Sequence, residues 1–466
     1  MIKEILLQPE ISDIIADLKK KIVQVPDWED LSTEYDPKKH EIMTDTVGRK
    51  DRKGVKAARI TYGMQKLATR RMTQMAFTEP VKRTYKHEND PLKMEQARAL
   101  EMLYQKVRID ALNKKRFRAY FAACEIATIW YVVDKPNKDY GFDSQYKLRS
   151  VTYSPMEEKF SRVEQSKIYP LFDAYGDMIA LSIEFTHKID DEEIVFFETY
   201  TADKKYSWKK TKRGWEINEE NLVAIGKIPG AYIYRPEPIW EEQTPNIKEI
   251  EYTLSRQSDI LRRNSAPVMK VTGRLVDDTP SPEGDVSREV YQFQGTDGNV
   301  DYVKPPVDHL AVDAFIQTMR DNISEELQLP ALSLKDVTGV GLTEESRKQI
   351  LIDAHLKVGE EDGDIVEFLS RECNVLKAFL GQMNAKWADT IGDLEVEHEI
   401  MPFVMNNEGA EIENLSKATG GKPIMSQMTA IQRAGYVSQE GIEEELKQIQ
   451  EEEGANRQND LFMPSF

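Results

Sequence analysis

The spacing of hydrophobic residues changes several times along the chain, and each change predicts a different kind of element. From about residue 61 to residue 112 the apolar side chains recur at helical intervals, as Met64, Leu67 and Ala68 do. Between residues 129 and 240, β-branched and aromatic residues alternate with polar ones, and turn signals recur. The segments 194–202, 205–211 and 214–222 are therefore predicted to be meandering antiparallel strands.

Two amphipathic helices are predicted further along, on either side of a small β insert. The first covers 245–264, with an apolar stripe formed by Ile247, Ile250, Leu254 and Leu261. The insert, 266–308, has short β runs between glycines and prolines. The second helix covers 309–328, with Val312, Phe315, Ile316, Met319, Ile323 and Leu327 on one face. Helices of this length span roughly 30 Å, so an antiparallel pair makes a rod with the β insert at its tip.

The chain after the second helix changes character again. Residues 329–342 form a loop rich in helix breakers, and a long helical stretch then runs from Thr343 to about Trp387. An interruption, in the form of a kink, is predicted at GEEDGD, residues 359–364. Residues 422–453 are predicted to form short helices. Taken together, the pattern predicts an α+β protein.

The charge balance bears on the function class. The 466 residues carry 63 Lys and Arg against 81 Asp and Glu, a net charge of −18. Proteins whose main task is to grip nucleic acid usually have a basic balance, so that class is disfavoured. One basic stretch, 204–213, alternates cations with aromatics and is a possible DNA surface. An exposed hairpin with one solvated face is the preferred interpretation.

Catalytic and metal-binding motifs are missing from the sequence. It has no phosphate-binding loop of the G-x-x-x-x-G-K-[ST] type, no H-E-x-x-H and no G-x-S-x-G. The acids of 360–364 lack the further ligands of a calcium loop. Cys124 and Cys373 are too few for a disulfide framework and are expected to be buried thiols. We therefore expect no enzyme activity, no metal and no cofactor.

Nothing in the sequence predicts a membrane segment or a targeting signal. The longest apolar run, 119–133, is shorter than the roughly 20 residues of a spanning helix and contains Glu125. Acidic residues also interrupt the apolar positions near the N-terminus. The protein is expected to be cytoplasmic when it is made.

Several segments, in this order and spacing, resemble the portal proteins of tailed double-stranded DNA bacteriophages, in particular the siphophage type. They are IGKIPGAYIYRP (225–236), IKEIEYTLSRQSDILRRNSAPVMKVTG (247–273), ISEELQLPALSLKDVTGVGLTEESRKQILIDAHLKV (323–358) and LSKATGGKPIMSQMTAIQRAGYVSQEGIEEELKQI (415–449), with a weaker likeness in EYDPKKHEIM (34–43). No single segment is a strict signature. The resemblance covers nearly the whole chain through the order of the pieces.

The resemblance implies a portal fold assembled as a ring. It has a mixed α/β wing, a helical stem, a small β clip and a long kinked tunnel helix. The implied parts are the wing at 1–244, stem helices at 245–265 and 309–328, the clip at 266–308, the tunnel loop at 329–342, the tunnel helix and wing return at 343–421, and a small crown and tail at 422–466. Portals of this family typically form a ring of twelve around a DNA channel. The short C-terminus argues against a large crown barrel.

The resemblance also implies function, partners and site residues. The ring sits at one capsid vertex of the virion and passes DNA during packaging and ejection. Its partners would be the terminase large subunit, then a head-completion or adaptor protein, and the major capsid and scaffolding proteins. The DNA-facing tunnel-loop residues would be Lys335, Asp336, Thr338, Gly339 and Gly341. The clip residues that dock partners would be Arg274, Asp277, Asp278, Glu283, Asp285 and Arg288.

Two alternatives remain open at the level of sequence. One is another head-tail connector or a minor capsid protein, although these are usually shorter and lack the helix–insert–helix–loop–helix order. The other is a metal-dependent nuclease, which would need scattered carboxylates to converge on one site.

Overall fold

A computed structural model gives the structure of the protein. It describes residues 2–20, 23–44, 57–87, 90–156, 164–189, 192–264, 268–273, 295, 298–303, 309–328, 351–403, 415–417, 419, 426–434 and 445–451. The chain divides into two compact units, one of residues 1–331 with 353–403 and one of residues 332–352 with 404–466.

Helices dominate the first part of the larger unit. Seven are described there: α1 (Ile2–Leu6), α2 (Ile11–Leu18), α3 (Trp28–Tyr35), α4 (Glu41–Thr44), α5 (Met64–Phe77), α6 (Pro91–Val107) and α7 (Ile109–Ala123). The Asp90 side chain caps α6 by accepting a hydrogen bond from the backbone N–H of Leu92, and Pro91 occupies the first turn. Arg108, in the left-handed region at φ 55°, separates α6 from α7.

The helical spacing predicted from residue 61 to residue 112 is wrong at one place. Strand β1 (Lys82–Lys86) lies between α5 and α6 and pairs antiparallel with β12 (Glu395–Glu399). Its partner is more than 300 residues away, and Lys82 stands opposite Glu399. A short segment takes its conformation from such a partner, which local spacing does not reveal.

The β-rich part contains two antiparallel sheets. The first has the order β3-β2-β9, formed by Ser144–Tyr153, Glu125–Asn137 and Gly230–Tyr234. The second is a five-stranded meander of β4 (Glu164–Phe172), β5 (Met178–Ile189), β6 (Glu192–Tyr200), β7 (Lys204–Thr211) and β8 (Gly214–Leu222). The last three strands confirm the strands predicted from alternation. Helix α2 covers this sheet by packing Ile14 and Leu18 against Phe197 and Trp208.

The predicted helix–insert–helix order is confirmed. Helix α8 (Thr244–Asn264) leads into strand β10 (Val268–Thr272), which pairs antiparallel with β11 (Asn299–Val303). Helix α9 (His309–Glu326) follows.

The interruption predicted at 359–364 is wrong, because helix α10 (Ile352–Met383) runs through it. This helix continues through 359–364 without a break in its hydrogen bonding. The two glycines in this stretch cost about 1 kcal/mol each relative to alanine. On either side of it, Val358, Ile365 and Phe368 are buried on one face. Packing of that face stabilises the helix more than the glycines weaken it.

One hydrophobic core forms where α6, β2 and α10 meet. Trp130, Leu376 and Leu380 are almost completely buried there. Both cysteines are free and buried, as expected from the sequence. In the smaller unit, α11 (Gln427–Ala434) and a helical stretch at 445–451 confirm the short helices predicted for 422–453. No helix among the described residues is long and apolar enough to span a membrane.

Candidate functional site: the paired helices and their supports

The candidate site is built on α8 and α9, which run antiparallel to each other. The Gln243 side-chain amide, just before α8, donates a hydrogen bond to the carboxylate of Glu326, the last residue of α9. The beginning of one helix therefore meets the end of the other, and the β10–β11 pair lies at the opposite end. With 21 residues, α8 is about 30 Å long. This is the rod that the sequence predicted.

The base of the rod is fixed to the N-terminal helices. The Glu34 carboxylate on α3 accepts hydrogen bonds from Trp240 Nε1 at 3.2 Å and from Thr244 Oγ1 at 3.1 Å. Trp240 is completely buried, with its ring centroid 5.7 Å from that of Tyr35. Because Thr244 begins α8, these contacts set the position from which the rod projects.

An extended segment, residues 57–63, is bound along the side of α8. The backbone N–H groups of Ala58, Ile60 and Tyr62 donate to Asp259 Oδ1 at 2.6 Å, Ser255 Oγ at 2.8 Å and Glu251 Oε1 at 2.6 Å. Alternate residues of an extended chain lie about 6.6 Å apart, and helix residues four apart lie about 6 Å apart. The two repeats match, so three successive contacts form in register.

Two further contacts hold α8 and α9 beside the N-terminal part of the chain. His40 Nδ1 lies 2.6 Å from Glu251 Oε1, and both side chains are almost fully buried. The Arg320 guanidinium of α9 lies over the Tyr62 ring, 5.4 Å from its centroid. The 57–63 segment therefore contacts both α8 and α9.

Part of each predicted apolar stripe faces solvent. Ile247 and Ile250 of α8 and Ile316 and Ile323 of α9 are buried as predicted. In contrast, Leu261 and Phe315 of these stripes are 53% and 42% exposed, and Leu310, which is not part of the predicted stripe, is 82% exposed. Large apolar side chains exposed at the same end of a helix pair are typical of a surface that contacts another polypeptide.

The residues predicted for partner docking and for DNA contact lie outside the described residues. This holds for Arg274, Asp277, Asp278, Glu283, Asp285 and Arg288 of the predicted clip. It holds equally for Lys335, Asp336, Thr338, Gly339 and Gly341 of the predicted tunnel loop. Within the predicted clip, the structure describes the β10–β11 pair in a two-stranded sheet.

A buried ion pair anchors α10. Arg116 on α7 donates two hydrogen bonds to the Glu372 carboxylate, at 2.5 and 2.6 Å. Trp130 Nε1 on β2 donates to the same carboxylate at 2.9 Å, and Arg116 also reaches Thr128 Oγ1 at 3.3 Å. The guanidinium lies 4.7 Å from the Phe368 ring centroid. One network thus joins α7, β2 and α10.

The C-terminal end of α10 has a second polar anchor. The Lys377 ammonium donates hydrogen bonds to the backbone carbonyls of Leu394, at 2.9 Å, and Gly392, at 3.3 Å. Burial lowers the pKa of this lysine. Burial, helped by the nearby Arg83 cation, lowers the pKa of His398 on β12 to about 4.

Sequence reasoning missed most of these supports. For the strip of acceptors on α8, Glu251, Ser255 and Asp259, a signal was present: three oxygen-bearing side chains at intervals of four residues. The Arg116–Glu372 pair gave no local signal, since 256 positions separate its members. Among the described residues no group of three or more His, Cys, Asp or Glu side chains could hold a metal ion. The site is therefore a pair of antiparallel helices held in position by contacts from α3 and from the 57–63 segment.

Comparisons with known proteins give one family match and two solved structures of low similarity. The family model described as "Phage portal protein, SPP1 Gp6-like" matches residues 17–459. Among solved structures, a neck of an empty GTA particle computed with C6 symmetry is 12% identical with a TM-score of 0.39, covering 78% of this chain and 89% of that one. A neck of a native GTA particle computed with C12 symmetry is 10% identical with a TM-score of 0.40, covering 91% and 98%. A search of curated proteins found no match.

Proposed function

Because this chain belongs to the SPP1 Gp6-like family of phage portal proteins, its function is that of a portal, and we propose that twelve copies form a ring at one capsid vertex. The family match extends over nearly the whole chain and confirms the resemblance drawn from the segments at 225–236, 247–273, 323–358 and 415–449. In this proposal DNA enters the capsid through the ring during packaging and leaves through it during ejection.

The family match is the single observation on which the proposal depends. The antiparallel pair of α8 and α9 is consistent with it. In a ring, each rod contacts two neighbouring copies, so apolar side chains that a lone chain leaves exposed become buried. Leu261, Leu310 and Phe315 are exposed in this way. Burying such side chains stabilises association, because about 25 cal/mol is gained for each Å² of apolar surface removed from water.

The parts of the chain receive the following roles. Residues 1–244 form the wing, 245–265 and 309–328 the stem, 266–308 the clip, 329–342 the tunnel loop, 343–421 the tunnel helix with the wing return, and 422–466 a small crown and tail. Lys335, Asp336, Thr338, Gly339 and Gly341 face DNA. The clip residues Arg274, Asp277, Asp278, Glu283, Asp285 and Arg288 dock the terminase large subunit and then an adaptor protein. The ring also meets the major capsid and scaffolding proteins, after assembly in the host cytoplasm.

The charge of the ring suits a channel that lets DNA slide. Twelve chains at −18 give 12 × −18 = −216. A protein that neutralises many phosphates releases their counterions and binds tightly, whereas translocation needs little net grip. A single lysine of the tunnel loop, Lys335, would supply one ring of weak phosphate contacts.

Ring formation is the direct test. Native mass spectrometry and mass photometry of the purified full chain, across salt and protein concentration, measure the number of subunits. We expect closed rings of about twelve subunits, and negative-stain images should show a central hole. A strictly monomeric protein under all conditions would contradict the proposal.

A further inference from the structure

A groove on the larger unit has no role in the function described so far. Its volume is about 840 Å³, and it lies between the β4–β5 turn, the end of β9 and α10. Tyr232 and Tyr234 line it from β9, and their rings stack at 5.9 Å. Of these two rings, Tyr234 is 42% exposed and Tyr232 is 4% exposed; Tyr175, in the β4–β5 turn between the lining residues Ala174 and Gly176, is 92% exposed. Exposed tyrosines around a concave surface are typical of protein interfaces.

The charge of the groove is negative. Asp173, Asp364 and Glu367 line it, against one cation, Arg371. The Arg371 guanidinium already donates to Glu367 Oε1 at 2.5 Å, one turn away on α10. A groove lined by three carboxylates and one arginine, beside tyrosine rings, favours an occupant with lysine or arginine side chains, which also stack on aromatic faces.

The same chain carries a surface of the opposite charge. In the basic stretch 204–213, the structure pairs Lys204 with Glu220 and Lys205 with Glu198. The tip of the β7–β8 hairpin instead presents exposed Lys210, Lys212 and Arg213. On a chain of net charge −18, this tip is a local concentration of positive charge.

These two surfaces cannot meet within one chain. In the meander, Met178 and Tyr200 lie near one end of the sheet, and Ile189 and Thr211 lie near the other. The β4–β5 turn is therefore at the first end and the β7–β8 turn at the second. Strand β7 has eight residues, which separates the two ends by about 25 Å. The hairpin tip is thus free to contact another molecule.

We propose that the basic β7–β8 tip of each chain inserts into the acidic, tyrosine-lined groove of a second copy of this chain. Two different surfaces of one chain that fit each other produce a head-to-tail contact, and such contacts close into a ring when the rotation between copies allows it. Charge complementarity and the placement of the surfaces at opposite ends of one sheet identify the occupant. This inference rests on the proposed ring function and assigns one of the contacts that hold the ring together.

Paired charge reversals test the contact in the full chain. The first variant carries Lys212→Glu and Arg213→Glu; the second carries Asp364→Lys and Glu367→Lys; the third combines all four and restores the net charge. Mass photometry at low salt gives the protein concentration at which half of the chains are in rings. Like charges that face each other across an interface repel, so each of the first two variants should raise this concentration at least about ten-fold. The combined variant should return to within about three-fold of the original.

The matched control reverses two exposed lysines outside both surfaces: Lys138→Glu, just after β2, and Lys386→Glu, just after α10. It changes the net charge as much as the first variant does, and the concentration for ring formation should stay unchanged. Unchanged ring formation in the first two variants would overturn the inference, as would failure of the combined variant to recover. Loss of bound DNA by the first variant, with its rings intact, would assign the tip to DNA and also overturn it. If the original chain forms no rings, the proposed function itself fails.

A crosslink gives a second readout that does not depend on charge. Both native cysteines are buried, and burial raises the pKa of the Cys124 thiol to about 12 and raises that of Cys373, so neither reacts readily. A chain with Arg213→Cys and Asp364→Cys should give a ladder of covalent multimers on mild oxidation. Each single variant should give none beyond the background. Rings that form without the ladder would contradict the contact.

Discussion

Removing the negative charge of Glu372 should destabilise the larger unit strongly. The substitution Glu372→Gln preserves the shape of the side chain and leaves an oxygen that accepts from Trp130 Nε1. It removes the carboxylate that receives two hydrogen bonds from Arg116 at 2.5 and 2.6 Å. Arg116 is 1% exposed, so its guanidinium stays buried without a counter-charge.

The size of the effect follows from this burial. Breaking a buried ion pair by removing one partner costs about 3–5 kcal/mol, because the remaining charge is desolvated and uncompensated. Replacing both partners by neutral groups removes that penalty. The double variant Arg116→Met with Glu372→Gln should therefore recover about 2 kcal/mol or more of the loss caused by Glu372→Gln alone.

Urea unfolding followed by tryptophan fluorescence measures both quantities, since Trp130 is part of the network. The protein concentration should be low enough for the chain to be monomeric, so that assembly does not add to the apparent stability. An exposed pair on the same helix, Arg371 and Glu367, supplies the control. Glu367→Gln should change the free energy of unfolding by less than about 0.5 kcal/mol. The reasoning is refuted if Glu372→Gln costs under about 1 kcal/mol, or if the double variant is less stable than the single one.

The remaining predictions concern pH, the clip and the loop. As the pH falls from 6.5 to about 4, the unfolded chain binds a proton at His398 that the folded chain, whose His398 pKa is lowered to about 4, does not bind. The contribution of His398 to stability therefore decreases over this window, and His398→Gln should remove roughly 2 kcal/mol of the decrease measured by urea unfolding at several pH values; an unchanged pH profile would contradict this. Asp277→Lys with Asp278→Lys should weaken terminase docking in a pull-down while rings still form, and loss of the rings would mean that the segment holds subunits together. Gly339→Val with Gly341→Val should leave rings intact but lower the DNA content of purified heads, since glycine permits backbone conformations that valine avoids; full heads would show that this freedom is not needed.

The sequence by itself determined the order of the elements that matter most. Apolar spacing predicted α8 and α9, and breakers predicted the small β insert between them. Alternation predicted strands β6 to β8. These features are local: each depends on side chains within one helix or one hairpin, so a short window of sequence contains the information.

Only the tertiary structure decided which side chains hold these elements in place. Strand β1 pairs with β12, and Arg116 pairs with Glu372, across separations that no local pattern records. Packing of Val358, Ile365 and Phe368 keeps α10 helical through 359–364, where the glycines alone predicted an interruption. The opposite placement of the acidic groove and the basic hairpin tip likewise follows from the sheet topology. The physical reason is common to all of these: their free energy comes from contacts made after the chain has folded, while sequence patterns report the preferences that exist before it folds.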